Sequence, residues 1–130
     1  KHPRPRQPAS RVVSAATATT IAAMMEGVTG PGGTAPAAAI PGYRVAGKTG
    51  TAERYEASCG CYQGYTMSFV GFAPADDPAL VVAVTLQRPQ QGTGGGQTAG
   101  PVFRSVLSFA LASRQVPPTG TKPADLPISW

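Results

Sequence analysis

Ile40-Pro41-Gly42-Tyr43-Arg44-Val45-Ala46-Gly47-Lys48-Thr49-Gly50-Thr51-Ala52-Glu53 is the stretch that decides the fold. Gly42 to Thr49 satisfies G-x-x-x-x-G-K-[ST], the pattern of a phosphate-binding loop, which would make the chain a nucleotide-binding protein. That loop works only where a strand precedes the first glycine and a helix starts at the lysine, so that helical amides point at the phosphates. Here Pro41 stands directly before Gly42, and Tyr43, Arg44 and Val45 crowd the would-be cradle. Gly50 sits where the helix should begin. No acidic metal ligand follows the later apolar run, which ends in Gln87-Arg88. Tyr43 to Glu53 reads better as a strand, in which Gly47 and Gly50 mark close approach of a ligand or another backbone. Pleating then puts Thr49 and Thr51 on one face, where two hydroxyls can hold a carboxylate together. Simple alternation turns Lys48 the other way.

Upstream of this strand, Ala18, Ile21, Ala22, Met25 and Val28 recur at helical spacing after Ser14, an N-cap residue, and Gly27 and Gly30 stop the helix. Gly30-Pro31-Gly32-Gly33 is a turn, and Thr34 to Ile40 is too alanine-rich to assign. Downstream, residues 54–64 read as a loop and Tyr65 to Phe72 as a strand with Met67 and Phe69 on one face. Pro74-Ala75-Asp76-Asp77-Pro78 makes a hairpin turn into Leu80–Leu86, a nearly continuous apolar run expected of a strand buried on both faces. Gly92 to Gly100 reads as a flexible loop. Pro101 then opens a helix whose stripe is Phe103, Val106, Leu107, Ala110 and Leu111. The order helix, strand, strand, strand, helix predicts an α+β fold, an antiparallel sheet with flanking helices.

Lys48-Thr49-Gly50-Thr51 resembles the K-T-G element of the penicillin-binding proteins and serine β-lactamases. Its surroundings resemble class B penicillin-binding proteins: Met25-Glu26-Gly27-Val28, Gly32-Gly33-Thr34-Ala35, Ile40 to Gly47, Ser68-Phe69-Val70-Gly71-Phe72-Ala73-Pro74 and Ala99-Gly100-Pro101-Val102-Phe103, in family order. The resemblance implies the C-terminal part of a transpeptidase domain over residues 10–114, between an extended basic Pro-rich connector at 1–9 and a Pro-rich tail at 115–130. It implies an acyl-serine D,D-transpeptidase that cross-links peptidoglycan stem peptides ending in D-Ala-D-Ala and is acylated by β-lactams. Lys48 and Thr51 would be catalytic, and Thr49, Gly50 and Thr51 would bind substrate. Gly50 would let the substrate backbone lie against the strand, and the Thr51 N–H would be one oxyanion donor. For Lys48 to reach the cleft, a local twist is expected at Gly47 or Gly50, where no side chain resists it.

The family also uses S-x-x-K, for the serine and its lysine base, and S-x-N. The lysines are Lys1, Lys48 and Lys122, none three residues after a serine, and there is no asparagine. A Ser-His-Asp triad has only His2 to draw on. The expected partner is therefore an upstream segment of the same protein carrying both elements, with other cell-wall synthesis proteins beyond it. This chain alone should be inert. Half a core should show: the Ser14 helix is expected to expose apolar faces unless a second segment covers them. The implied location is the extracytoplasmic face of the cytoplasmic membrane, anchored through an N-terminal segment outside these residues.

Composition excludes several alternatives. A 130-residue chain holds one domain or a piece of one. Its net charge of +5 does not gather into one face, which argues against nucleic acid. Cys59 and Cys61 cannot make a four-ligand zinc site by themselves, and no cofactor is called for. They read equally as a short disulfide or as two free thiols.

Overall fold

The computed structural model describes residues 10–123, so the connector assigned to residues 1–9 and the last part of the tail lie outside the described residues. The elements in chain order are α1 (Ala15–Glu26), a 3-10 turn (Pro36–Ala38), β1 (Ala46–Glu56), β2 (Cys61–Ala73), β3 (Leu80–Gln87), α2 (Gly95–Thr98) and α3 (Gly100–Ser113). The strands form one antiparallel sheet in the order β1-β2-β3. Helices flank it as the α+β reading expects.

Each element has a local cause. The Ser14 hydroxyl accepts from the Thr17 N–H at 3.0 Å, satisfying one orphan amide of α1, and Gly27 caps its other end. The unassigned alanine-rich stretch holds the 3-10 turn and is buried, with Ala35, Ala38 and Ile40 all in the core. In β2, Met67, Phe69, Gly71 and Ala73 point inward in period two while Val70 faces out. The Phe69 ring meets that of Phe103 edge-to-face at 4.6 Å, which joins α3 to the sheet. Leu107 and Leu111 continue the α3 stripe into a core with Val45, Ala73, Val84 and Ala99.

Three expectations need correction. The predicted loop over residues 54–64 is the end of a hairpin: β1 runs to Glu56 and β2 starts at Cys61, leaving only four residues between them. The alternation in this region is masked by Tyr, Arg and Gly, so only a short central part reads as strand. β3 is not buried on both faces. Its Val84 is covered by the helical layer, but Val81 is 70% exposed and Ala83 and Thr85 also face out. Nothing among the described residues covers that face, so the run's apolar composition did not report burial on both sides. Finally, the Gly92–Gly100 stretch is ordered from Gly94 onward, carrying α2 and the start of α3, with Gly95, Gly96, Ala99 and Gly100 buried.

The expected exposure of α1 is present. Residues 15–21 of α1 are exposed throughout, and Met24 is 62% exposed. α3 likewise carries a second apolar stripe, Val102, Val106 and Phe109, facing away from the core, with Phe109 75% exposed.

Candidate functional site

Lys48, Thr49, Gly50 and Thr51 lie in the first half of β1, at an edge of the sheet. Lys48 sits in mid-strand with no helix starting at it, so the phosphate-loop reading of Gly42–Thr49 is excluded. The register is continuous through the four residues, pairing Lys48 with Val70, Thr49 with Phe69, Gly50 with Ser68 and Thr51 with Met67. Directly paired residues share a face, so Thr49 and Thr51 project together, as pleating demands.

The register passes Gly47 and Gly50 without a bulge, and the one register shift in this pair lies between Glu53 and Tyr55. Lys48 reaches its neighbour by its own length. Its Nζ donates to the Thr49 carbonyl at 3.0 Å and lies 3.2 Å from Thr49 Oγ1. An edge strand has no partner on its outer side, so a flexible four-carbon stem can curl around it without distorting the backbone. The two glycines answer to packing inside the protein. A Cβ on Gly47 would meet the Phe69 ring, and one on Gly50 would meet the Ser68 hydroxyl.

Gly95 is the site residue that sequence reasoning missed. Its N–H donates to Thr51 Oγ1 at 3.1 Å, and a Cβ there would run into the backbone oxygens of Gly50 and Ser68. A triple glycine reads as flexibility when tertiary contacts are unknown, whereas here it lets α2 lie flat on the ladder. The consequence is chemical. Gly95 occupies an acceptor site of the Thr51 hydroxyl, and Lys48 lies in position to do the same at Thr49. Each hydroxyl proton is then left to donate outward. Two hydroxyl donors and one ammonium converge on the exposed edge of β1, an arrangement that suits an anion with two oxygens.

The root of β1 is fixed by charge. Arg44 forks onto Glu26 of α1, with Nε to Oε2 at 2.9 Å and Nη2 to Oε1 at 2.6 Å, and its Nη1 lies 3.3 Å from Asp76 in the β2–β3 turn. The Glu26 hydrogen bonds raise the Arg44 pKa despite the cost of burial. The chain beyond α3 folds back onto this cluster. Tyr43 donates to the Val116 carbonyl at 2.6 Å, and Asp76 accepts from Thr121 and Thr119. Those bonds, that of Thr121 foremost, hold the Asp76 pKa below its ordinary value.

Among the described residues no group of three or more His, Cys, Asp or Glu side chains could hold a metal ion. Two shallow hollows of about 490 and 290 Å³, at Ser10–Val13 and around Gln63, Tyr65 and Arg88, both lie away from Lys48–Thr51.

Residues 2–108 match the penicillin binding protein transpeptidase domain. The chain is 40% identical over 117 residues to penicillin-binding protein PbpB of Mycolicibacterium smegmatis, covering 82% of this chain and 18% of that protein. It is 42% identical over 110 residues to the probable peptidoglycan D,D-transpeptidase PenA of Neisseria flavescens, covering 84% of this chain and 28% of the relative. Among solved structures, penicillin binding protein 3 of Mycobacterium tuberculosis complexed with ampicillin superposes with a TM-score of 0.84 at 35% identity. That match covers 98% of this chain and 30% of the other.

Proposed function

We propose, since this chain belongs to the penicillin binding protein transpeptidase domain family, that it forms the carboxylate-binding wall of a serine D,D-transpeptidase active site. The chain spans about a fifth to a quarter of the length of the curated relatives it matches, 18% of one and 28% of another. The reading places the nucleophilic serine and its lysine on another segment of the same protein, because this sequence has no S-x-x-K and no S-x-N.

The observation that carries the reading is the convergence of the Lys48 ammonium with the Thr49 and Thr51 hydroxyls, whose acceptor sides face the Lys48 ammonium and the Gly95 N–H. In the proposed mechanism the terminal D-Ala carboxylate, or the equivalent carboxylate of a β-lactam, takes both hydroxyl protons and lies against Lys48. Alternate residues of a strand send their backbone groups to the same edge. The Thr49 carbonyl faces the Lys48 ammonium at the open edge, so the Thr51 N–H points there too, where it can receive the oxyanion formed at the attacked carbonyl. Such a donor is worth about 2.7 to 4 kcal/mol of transition-state stabilisation. No helix of the described residues is long and apolar enough to cross a membrane. The proposed working place is the outer face of the cytoplasmic membrane, where peptidoglycan is assembled, with anchoring supplied elsewhere in the protein.

The test is covalent labelling with a fluorescent penicillin, using this chain alone and joined with a segment bearing the S-x-x-K and S-x-N elements. Labelling is expected only in the combination, on a serine outside these residues. Lys48→Ala in the combined protein should slow acylation by roughly ten- to hundredfold, the value of a charge-assisted hydrogen bond of about 1.5 to 3 kcal/mol. Unchanged acylation of that variant would remove Lys48 from the site.

A further inference from the structure

Beyond Thr66–Gln87, where β2 leaves β3, residues 53–56 of β1 and 61–65 of β2 run on as a ribbon of two strands only. Residues 57–65 are all exposed. Two-stranded ribbons are marginal in water without further packing. What holds this one is local: the Tyr55 and Tyr62 rings meet edge-on at 5.8 Å, and Glu56 pairs with Arg88 and accepts from the Ser58 hydroxyl at 3.0 Å. At the tip, Cys59 and Cys61 are joined by a disulfide that encloses only Gly60, whose φ of +64° lets so short a loop close.

That bond is badly placed to stabilise the fold as a whole. The entropy a cross-link removes from the unfolded chain grows with the loop it closes, and this loop contains one residue. It is well placed to react. Both cysteines lie at the surface, on the least supported part of the sheet, with the second thiol always adjacent to the first.

We infer that Cys59–Cys61 is a reversible thiol–disulfide exchange site for an external thiol, and that its redox state sets the order of the ribbon that prolongs the Lys48–Thr51 strand. An external thiolate attacks one sulfur, the Cys59–Cys61 bond breaks, and a mixed disulfide forms as the other cysteine leaves as thiolate. A second external thiolate attacks the mixed disulfide and releases the external disulfide. The protein gains two electrons, and each cysteine takes up a proton to become a thiol. Without external thiol the neighbouring cysteine reverses the first step, so the mixed form is short-lived. Reduction leaves the ribbon with its strand pairing and the Tyr55–Tyr62, Glu56–Arg88 and Ser58–Glu56 contacts.

The test uses the whole chain equilibrated in glutathione buffers from fully oxidised to fully reduced, quenched in acid and alkylated with N-ethylmaleimide. A parallel arm with dithiothreitol separates monothiol from dithiol reactivity. Mass spectrometry should show a change from no label to two labels while the protein stays folded. Amide hydrogen exchange over 53–65 should then quicken by about tenfold or more on reduction, with Phe69, Val84 and Phe103 unchanged. A Cys59→Ser, Cys61→Ser double variant should exchange like the reduced protein in every buffer. The inference is overturned by labelling that appears only on global unfolding, by labelling in all buffers, or by reduction that leaves exchange of the ribbon untouched.

Discussion

At Thr51 the hydroxyl accepts from the Gly95 N–H on the inner side, and in the proposed site its proton would go to the substrate carboxylate on the outer. Thr51→Val keeps the shape and removes both functions. It leaves the Gly95 N–H without its partner, and the resulting loss should be about 1 kcal/mol in chemical denaturation. Gly95→Ala goes further, because its methyl group meets backbone oxygens that cannot swing aside. It should lower stability by about 1 to 3 kcal/mol. Gly50→Ala meets only the rotatable Ser68 hydroxyl and should cost less. Equal losses for the two glycine variants would contradict the close seating of α2 on the ladder. Lys48, Thr49, Gly50 and Thr51 were all legible as a chemical row, because strand period and residue type suffice to place hydroxyls. Gly95 was not, since its role comes from a contact 44 residues away along the chain.

Among the elements, α3 covers the sheet with large buried side chains, Phe103, Leu107 and Leu111. Phe103→Ala would leave Phe69 without its ring partner and open a cavity, with an expected loss of about 3 to 5 kcal/mol by urea titration. The α3 stripe was readable from its period at Phe103, Leu107 and Leu111, but Val106, expected in it, faces outward with Val102 and Phe109; the Ser14 cap and the β2–β3 turn were readable too. The ends of the β1–β2 hairpin were not. Their pairing is sustained by cross-strand partners such as Tyr55 with Tyr62, and through an irregularity after Glu53 that breaks the two-residue rhythm. β3 misled for the opposite reason. An apolar run does not by itself say that both faces are covered: Val84 is buried while Val81 on the other face is exposed.

On the scale of the molecule, apolar side chains stand exposed at three separate places: Val81 on the outer face of β3, Ile21 and Met24 on α1, and the Val102-Val106-Phe109 stripe of α3. A stripe of this kind marks an interaction surface. The chain alone should therefore bind an apolar fluorescent dye, and the segment carrying S-x-x-K should abolish that signal as it restores labelling. Acid should act through a different part of the structure. Hydrogen bonding from Thr121 depresses the Asp76 pKa below 3.8, so the unfolded chain takes up this proton first as pH falls. The stabilisation it provides is present above about pH 4 and is lost as pH drops through the lower folded value. The melting temperature of Asp76→Asn should lie below that of the wild type at pH 6, with the gap closing toward pH 2.

The fastening of Val116, Thr119 and Thr121 onto Tyr43, Arg44 and Asp76 has a practical result for measurement. The stretch after α3 does not trail away but is tied to the foot of the strand that bears Lys48. A spin label or dye attached near Thr121 would thus report whether that foot stays fastened, from a position far along the chain from Lys48.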